Sequence, residues 1–159
     1  MKIGVISDTH LTGCSEGLKR IVEEHFRDVR LVLHAGDIVD IGVFKIFSGR
    51  EVKAVSGNMD NPSVRSIMPE KLEFTLDGFR FGLIHGWGSP FGMRQKVRRE
   101  FGEVDCIIYG HTHQAFNESS DGVLFFNPGS AAPSAAEKTV GILEINSGIS
   151  GKIIEIQDY

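Results

Sequence analysis

Five short apolar runs, each stopping abruptly at a polar cluster, constrain this chain more than any other feature. Ile3 to Ile6 stops at Ser7-Asp8-Thr9-His10, Leu31 to Leu33 at His34-Ala35-Gly36-Asp37, and Val52 to Val55 at Ser56-Gly57-Asn58. Further on, Phe79 to Ile84 stops at His85-Gly86, and Cys106 to Tyr109 at Gly110-His111-Thr112-His113. Short, β-rich and nearly continuous apolar runs suit strands buried on both faces. Between the first three runs, Ser15 caps a helix in which Leu18, Ile21, Val22 and Phe26 recur at helical spacing. Asp40 caps another that carries Val43, Phe44 and Phe47 and closes at Gly49. Strand alternating with helix predicts a parallel sheet.

The second half reads differently. Leu72 to Leu76 and Phe79 to Ile84 flank Asp77-Gly78, a two-residue hairpin signal. A helix with Met93, Val97 and Phe101 follows. Ala115 to Glu118 and Val123 to Phe126 form a hairpin over Ser119 to Gly122, and Val140 to Ile145 pairs with Lys152 to Ile156 over Ser147-Gly148. Parallel units thus give way to antiparallel pairs, and the expected fold is α/β: two mixed sheets packed face to face with helices outside. At 159 residues the chain suits one domain, residues 1–159, large enough to bury a core without staples. No internal repeat or low-complexity tract interrupts it, and Ala131 to Ala136 reads as the one mobile loop.

Composition excludes several classes. No apolar run approaches the roughly 20 residues that span a bilayer. The apolar N-terminal run ends at Ser7-Asp8 without a processing site, so it reads as a first strand rather than a signal peptide. Two cysteines, Cys14 and Cys106, make a disulfide framework implausible and point to a reducing cytoplasm. A net charge of -4 argues against stable nucleic-acid binding through a broad basic face.

The polar clusters carry the chemistry. In α/β sheets, ligands collect at the carboxyl ends of strands, so the clusters are expected to converge. Besides His34, four of the six histidines fall in them, with Gly36, Gly57 and Gly110 beside them allowing close backbone approach or positive φ. Asp, Asn and His with no thiolate form a mixed oxygen and nitrogen set, which suits divalent first-row transition metals better than calcium.

Taken in order, Asp8-Thr9-His10, Gly36-Asp37, Gly57-Asn58, His85 and Gly110-His111-Thr112-His113 resemble the signature D-x-H, G-D, G-N, H, G-H-x-H of the calcineurin-like metallophosphoesterase superfamily. The resemblance spans about two-thirds of the chain. The D-T-H and G-H-T-H forms, the length and the run Asn127 to Ser130 resemble the small prokaryotic phosphodiesterase branch. The resemblance implies a four-layer αββα fold and two divalent metal ions, manganese first, with nickel, iron, cobalt or zinc as alternatives. It implies that Asp8, His10, Asp37 and His113 hold one ion, and Asp37, Asn58, His85 and His111 the other. Two cations roughly 4 Å apart repel unless an anion lies between them, which gives Asp37 a reason to bridge. The implied reaction is in-line attack of a metal-bridging hydroxide on a small phosphate ester, with Asp37, Asn58, His111 and Asp60 as catalytic residues. For Asp60 two readings stand: it orients a ligating histidine, or it stabilises its own turn. The branch also implies homo-oligomerisation.

Some positions depart from the family. A branch of phosphoprotein phosphatases continues the Gly-Asn block with a histidine that protonates the leaving group; here that residue is Met59. The arginine that grips substrate in that branch is Ile41, and the Pro-Arg of many relatives is Pro133-Ser134. A phosphodiester with a good leaving group, needing less proton donation, is therefore favoured over a monoester. Asn127 to Ser130 either presents a hydroxyl and backbone N–H groups to phosphate or is only a turn. Trp87 either stacks on a base or packs. His34 reads as a core histidine, Cys14 as an ordinary thiol, and Lys96, Arg98 and Arg99 as a solvated helix face. Two other functions compete: a non-catalytic protein-interaction scaffold of the same fold, as in a eukaryotic retromer subunit, and a nuclease.

Overall fold

The computed structural model describes residues 1–159. The chain runs β1 (Lys2–Ile6), α1 (Glu16–His25), β2 (Leu31–His34), a 3₁₀ helix (Ile41–Phe47), β3 (Glu51–Ala54), α2 (Pro62–Ile67) and β4 (Lys71–Leu76). It continues through β5 (Phe79–Ile84), α3 (Met93–Arg98), β6 (Cys106–Ile108), β7 (Phe116–Ser120), β8 (Val123–Asn127), β9 (Thr139–Ile145) and β10 (Ile149–Glu155). Two five-stranded sheets result, ordered β10-β9-β1-β2-β3 and β4-β5-β6-β8-β7.

Local signals account for most of the elements. Ser15 Oγ accepts from the Leu18 N–H at 3.2 Å, which fixes the start of α1, and Leu18, Ile21 and Val22 form its buried stripe. Asp40 caps the following segment through the Gly42 N–H at 2.7 Å, but seven residues between that cap and Gly49 form a 3₁₀ helix rather than the expected α-helix. The Asp77-Gly78 turn has φ of 48° and 85°, the doubly left-handed geometry that joins twisted strands tightly. Helix α2 is absent from the sequence-based reading, although Asn61 followed by Pro62 is a start signal: Asn61 Oδ1 accepts from the Val64 N–H at 3.0 Å.

The second sheet is mixed, as expected, with its parallel pairs at the centre. Its outer pairs, β4 with β5 and β7 with β8, are the antiparallel hairpins. Its centre is parallel: β5 pairs with β6 and β6 with β8. Hairpin signals report only neighbours in sequence. The crossover through α3 and the return through β7 set the central pairing.

Three apolar layers hold the αββα stack together. Leu18, Val22, Phe26, Val43, Phe47 and Val64 pack α1, the 3₁₀ helix and α2 onto the first sheet. Ile3, Val5, Leu33, Phe81, Leu83, Ile108, Phe126 and Leu143 interdigitate between the sheets. Met93, Val97, Phe101 and Val104 pack on the second sheet's outer face with Ile107 and Phe125. Phe126 is fully buried, and its ring fills the space above Gly141 and Gly151. Burial of such a side chain contributes about 2–3 kcal/mol. No helix is long and apolar enough to cross a membrane. Cys14 and Cys106 are both unpaired, the first exposed and the second buried.

Candidate metal centre

Parallel pairing within each sheet brings the carboxyl ends of β1, β2 and β3, and of β5, β6 and β8, to one edge of the sandwich. Backbone hydrogen bonds continue past the strands there. The Asp8 N–H donates to Gly36 O at 3.0 Å, the His10 N–H to Asp37 O at 3.1 Å, and the Gly110 N–H to His85 O at 3.1 Å. The sheets are then tied across the sandwich by His85, whose Nδ1 lies 2.7 Å from the Ala35 carbonyl oxygen.

Five side chains converge on a common centre. His113 Nε2 lies 3.1 Å from Asp8 Oδ1 and 3.3 Å from His10 Nε2, which is itself 3.7 Å from Asp37 Oδ2. His85 Nε2 lies 3.2 Å from Asp37 Oδ2 and 3.9 Å from Asp8 Oδ1. Two triads, Asp8-His10-His113 and Asp8-Asp37-His85, each keep their ligand atoms within 4.8 Å of one another. Asn58 and His111 form an adjoining pair, with Asn58 Oδ1 3.0 Å from His111 Nδ1 and the His111 ring set edge-on to His85 at 5.2 Å between centroids.

The chemistry of this set fits cations. Because His85 Nδ1–H donates to a carbonyl, Nε2 is left as the lone-pair atom of the neutral ring, facing two carboxylates. Asp8 Oδ1 and His85 Nε2 are buried without a hydrogen-bond partner: their neighbours are close, but none is aligned as a donor–acceptor pair. A buried polar atom left so costs about 1–3 kcal/mol unless something else satisfies it. His111 repeats the pattern, since its Nε2–H donates to Gly88 O at 2.7 Å and its Nδ1 lone pair then faces the Asn58 side-chain oxygen Oδ1. Lone pairs aimed at one another are the arrangement that a shared cation resolves.

Protons compete for the same atoms. Burial pushes His85 down, but Asp37 and Asp8 outweigh it and raise its pKa above the ordinary imidazole value. His113 is raised through Asp8. Asp37 is raised by burial, yet His85, the Met59 N–H and His10 together bring it below the usual carboxylate range. His34 stands apart. Fully buried, its Nδ1 accepts from the Gly36 N–H at 3.2 Å, its Nε2 meets the Thr9 hydroxyl at 3.2 Å, and burial pushes its pKa down to about 3. It is a neutral core histidine that braces two of the converging loops.

Each carboxylate has one oxygen tied down and one left free. Asp8 Oδ2 accepts from the Ser7 hydroxyl at 2.5 Å and the His111 N–H at 3.1 Å, which turns Oδ1 into the cluster. Asp37 Oδ1 accepts from the Met59 N–H at 2.8 Å, which leaves Oδ2 between His10 and His85. Gly57 and Gly110 make this packing possible: a Cβ on Gly57 would collide with Asp37 Oδ1, and one on Gly110 with Ser7 Oγ and Asp8 Oδ2. Asp8, His10, Asp37, His111 and His113 all have left-handed backbone, with φ between 48° and 68°. Non-glycine residues adopt that region rarely, and strain of this kind gathers at functional sites.

At two positions where the sequence left alternatives open, the structure shows a bracing role. Asp60 hydrogen-bonds to backbone rather than to the clustered side chains. Its carboxylate is buried and accepts from the Val39 N–H at 2.6 Å and the Gly57 N–H at 2.7 Å, so it fastens the loop after β2 to the loop after β3. Ser130 does not present its hydroxyl to a ligand. It is fully buried and donates to Asp8 O at 3.0 Å, while Asn127 Nδ2 donates to Gly110 O at 3.0 Å. Asn127 to Ser130 is therefore a brace beneath the cluster. Sequence reasoning passed over Ser7, which gives no signal beyond its position before Asp8, and Arg65, which lies on the unread helix α2.

Buried carboxylates and a cluster of imidazoles at converging strand ends, with unsatisfied atoms facing one another, define the kind of centre that hydrolases of phosphate esters build around divalent metals. The chain belongs to the calcineurin-like phosphoesterase superfamily, whose domain matches residues 1–148. It is similar to a protein of Methanothermobacter thermautotrophicus named a probable metallophosphoesterase, with 38% identity over 92% of this chain and 87% of that one. A phosphodiesterase of Methanocaldococcus jannaschii is 29% identical over 91% of this chain and 93% of its own length. Among solved structures, an archaeal phosphodiesterase superposes with a TM-score of 0.76, 29% identity and coverage of 98% and 100%. The zinc complex of Vps29 from Entamoeba histolytica shares the fold, with a TM-score of 0.73, 24% identity and coverage of 98% and 99%.

Proposed function

We propose that the protein hydrolyses phosphodiesters at a centre of two divalent metal ions, manganese foremost. Asp8, His10, Asp37 and His113 would hold one ion, and Asp37, Asn58, His85 and His111 the other. The observation that carries this reading is the pair of buried, unpartnered atoms, Asp8 Oδ1 and His85 Nε2, aimed at the same point as Asp37 Oδ2. When bound, the cations supply water acidified enough to attack phosphorus and positive charge for the phosphoryl oxygens.

The chain's own residues do the rest. Asp37 has one oxygen fixed by the Met59 N–H, and the other would be free to ligate the cations and lower their mutual repulsion. Neutral imidazoles and the Asn58 amide add ligation without charge, so two carboxylates against two dications leave the centre attractive to an anionic ester. Hydrogen bonds from Ser7, Ser130 and Asn127 hold these groups before substrate arrives, so little reorganisation is needed during reaction. Met59, 57% exposed beside Asn58, has no proton to give a leaving group, which favours diesters with acidic leaving groups over monoesters.

The test is manganese titration by calorimetry together with hydrolysis of bis-p-nitrophenyl phosphate and p-nitrophenyl phosphate. Expected are tight manganese binding, faster hydrolysis of the diester, and loss of at least about 100-fold in activity in Asp37→Ala and His111→Ala. A monoester preference would overturn the diester assignment, and a protein that binds manganese but hydrolyses neither ester would favour the scaffold alternative.

A further inference from the structure

A pocket of about 300 Å³ opens directly beside the cluster, lined by Ser56, Asn58, Arg65, Glu70, His85 and Trp87 among others. Two of these residues belong to the proposed metal centre, so whatever fills the pocket is attached to, or adjacent to, a phosphate held there. The volume sits at the lower end of small-molecule sites. Its other walls are chemically specific. Trp87 is 44% exposed although it is the largest side chain type, and it follows a strand whose last residues are buried. An exposed indole beside a catalytic cluster is a stacking surface rather than core.

The loop that carries Trp87 is anchored from both sides. His111 Nε2–H donates to Gly88 O at 2.7 Å, and Lys96 Nζ donates to Ser89 O at 2.7 Å and lies 3.5 Å from Trp87 O. The indole is therefore presented by a fixed backbone, tied to a residue of the centre itself. Another lining residue is Arg65, on α2, whose Nη2 donates to the Asn58 backbone carbonyl oxygen. A guanidinium has five N–H donors in a planar fork, so the remaining donors are free for an anion next to Asn58. Glu70 adds an acceptor that suits ring N–H or amine groups and repels a second anion.

We propose that this pocket receives the ester arm of the substrate as a planar nitrogenous ring of the nucleobase type, stacked on Trp87, while Arg65 holds an oxygen of the attached phosphate. This rests on the phosphodiesterase reading for its catalytic meaning, and it narrows the substrate class to small nucleotide esters. Arg65 then supplies, from α2, the guanidinium that Ile41 and Ser134 lack.

Trp87 is the only tryptophan, so its fluorescence reports the pocket directly. The experiment titrates the manganese-loaded protein with adenosine 5′-monophosphate and with methyl phosphate, following indole emission and, in parallel, heat. Expected are quenching by the nucleotide and none by methyl phosphate. Nucleotide affinity should fall about 10-fold in Trp87→Ala and be largely kept in Trp87→Phe, in line with the usual worth of a base stacked on an aromatic ring. Arg65→Gln should weaken both ligands. The proposal is overturned if the nucleotide binds no tighter than methyl phosphate, or if it binds without changing indole emission. Hydrolysis of bis-p-nitrophenyl phosphate in the same samples judges the catalytic reading separately: nucleotide stacking without hydrolysis refutes the enzyme and leaves the pocket, and hydrolysis without stacking does the reverse.

Discussion

Replacing Asp60 by Asn separates a backbone clamp from a metal-site residue. Its two carboxylate oxygens accept from the Val39 and Gly57 N–H groups, and Val39 has φ of 75°, a conformation that a β-branched residue adopts only under constraint. The amide of Asn keeps one acceptor but turns an NH₂ toward the second backbone N–H. One hydrogen bond to a charged acceptor is lost, worth about 1.5–3 kcal/mol, and a part-buried N–H is left unsatisfied. The expected loss is about 3 kcal/mol, or roughly 6–12 °C in melting temperature for a domain of this size. Urea denaturation in EDTA measures it without metal. Because Gly57 precedes Asn58 and Val39 follows Asp37 by two residues, both loops should loosen, and manganese affinity should fall by about 10-fold. Unchanged stability combined with lost affinity would refute the clamp and show that the carboxylate acts on the metal.

Two further outcomes follow from the site's packing and charge. Gly110→Ala should unfold readily and bind no manganese, because its Cβ would overlap Ser7 Oγ and come within 2.7 Å of Asp8 Oδ2; a variant with wild-type affinity by calorimetry would show that the Ser7–Asp8 contact is not needed. His85 and His113 have raised pKa values without metal, so the stabilisation from their protons is complete below about pH 6.5 and is lost as pH rises through the raised values. On the proposed ligand set manganese would take the same nitrogens and gain where protons are released. The gap in melting temperature between manganese and EDTA should therefore widen with increasing pH, and a gap independent of pH would contradict proton competition.

Periodicity and turn chemistry made much of the frame legible: the Ser15 cap, the Asp77-Gly78 hairpin and the five runs ending in polar clusters all report local preferences. The parallel centre of the second sheet was not legible, because pairing of β5 with β6 and β8 depends on crossover paths rather than on any residue in those strands. Within the site, residue type and order marked the Asp and His side chains. What they rest on was hidden: Ser130 meets Asp8 across 122 positions and His85 meets Ala35 across 50, and nothing local in either segment announces the partner. Trp87 could be read only as ambiguous, since exposure is a property of the assembled surface. Arg65 was missed with its helix, six residues being too few to show a period.

The left-handed backbone of Asp37 offers a direct measure of what the site costs the fold. Its φ of 54° is strained for any residue with a Cβ and open to glycine, a difference of up to about 2 kcal/mol. Asp37→Ala and Asp37→Gly both remove the carboxylate, its bond from the Met59 N–H and the charge beside His85, so those losses cancel between the two variants. Only the backbone term and the glycine's extra unfolded-state entropy differ, and at positive φ the former outweighs the latter. In EDTA, Asp37→Gly should therefore be the more stable by about 1 kcal/mol, although neither should bind manganese tightly. The opposite order in urea denaturation would mean that the loop relaxes out of the left-handed region once the side chain is gone. In that case the carboxylate's own contacts, rather than the sheets beneath, would be what holds this turn in place.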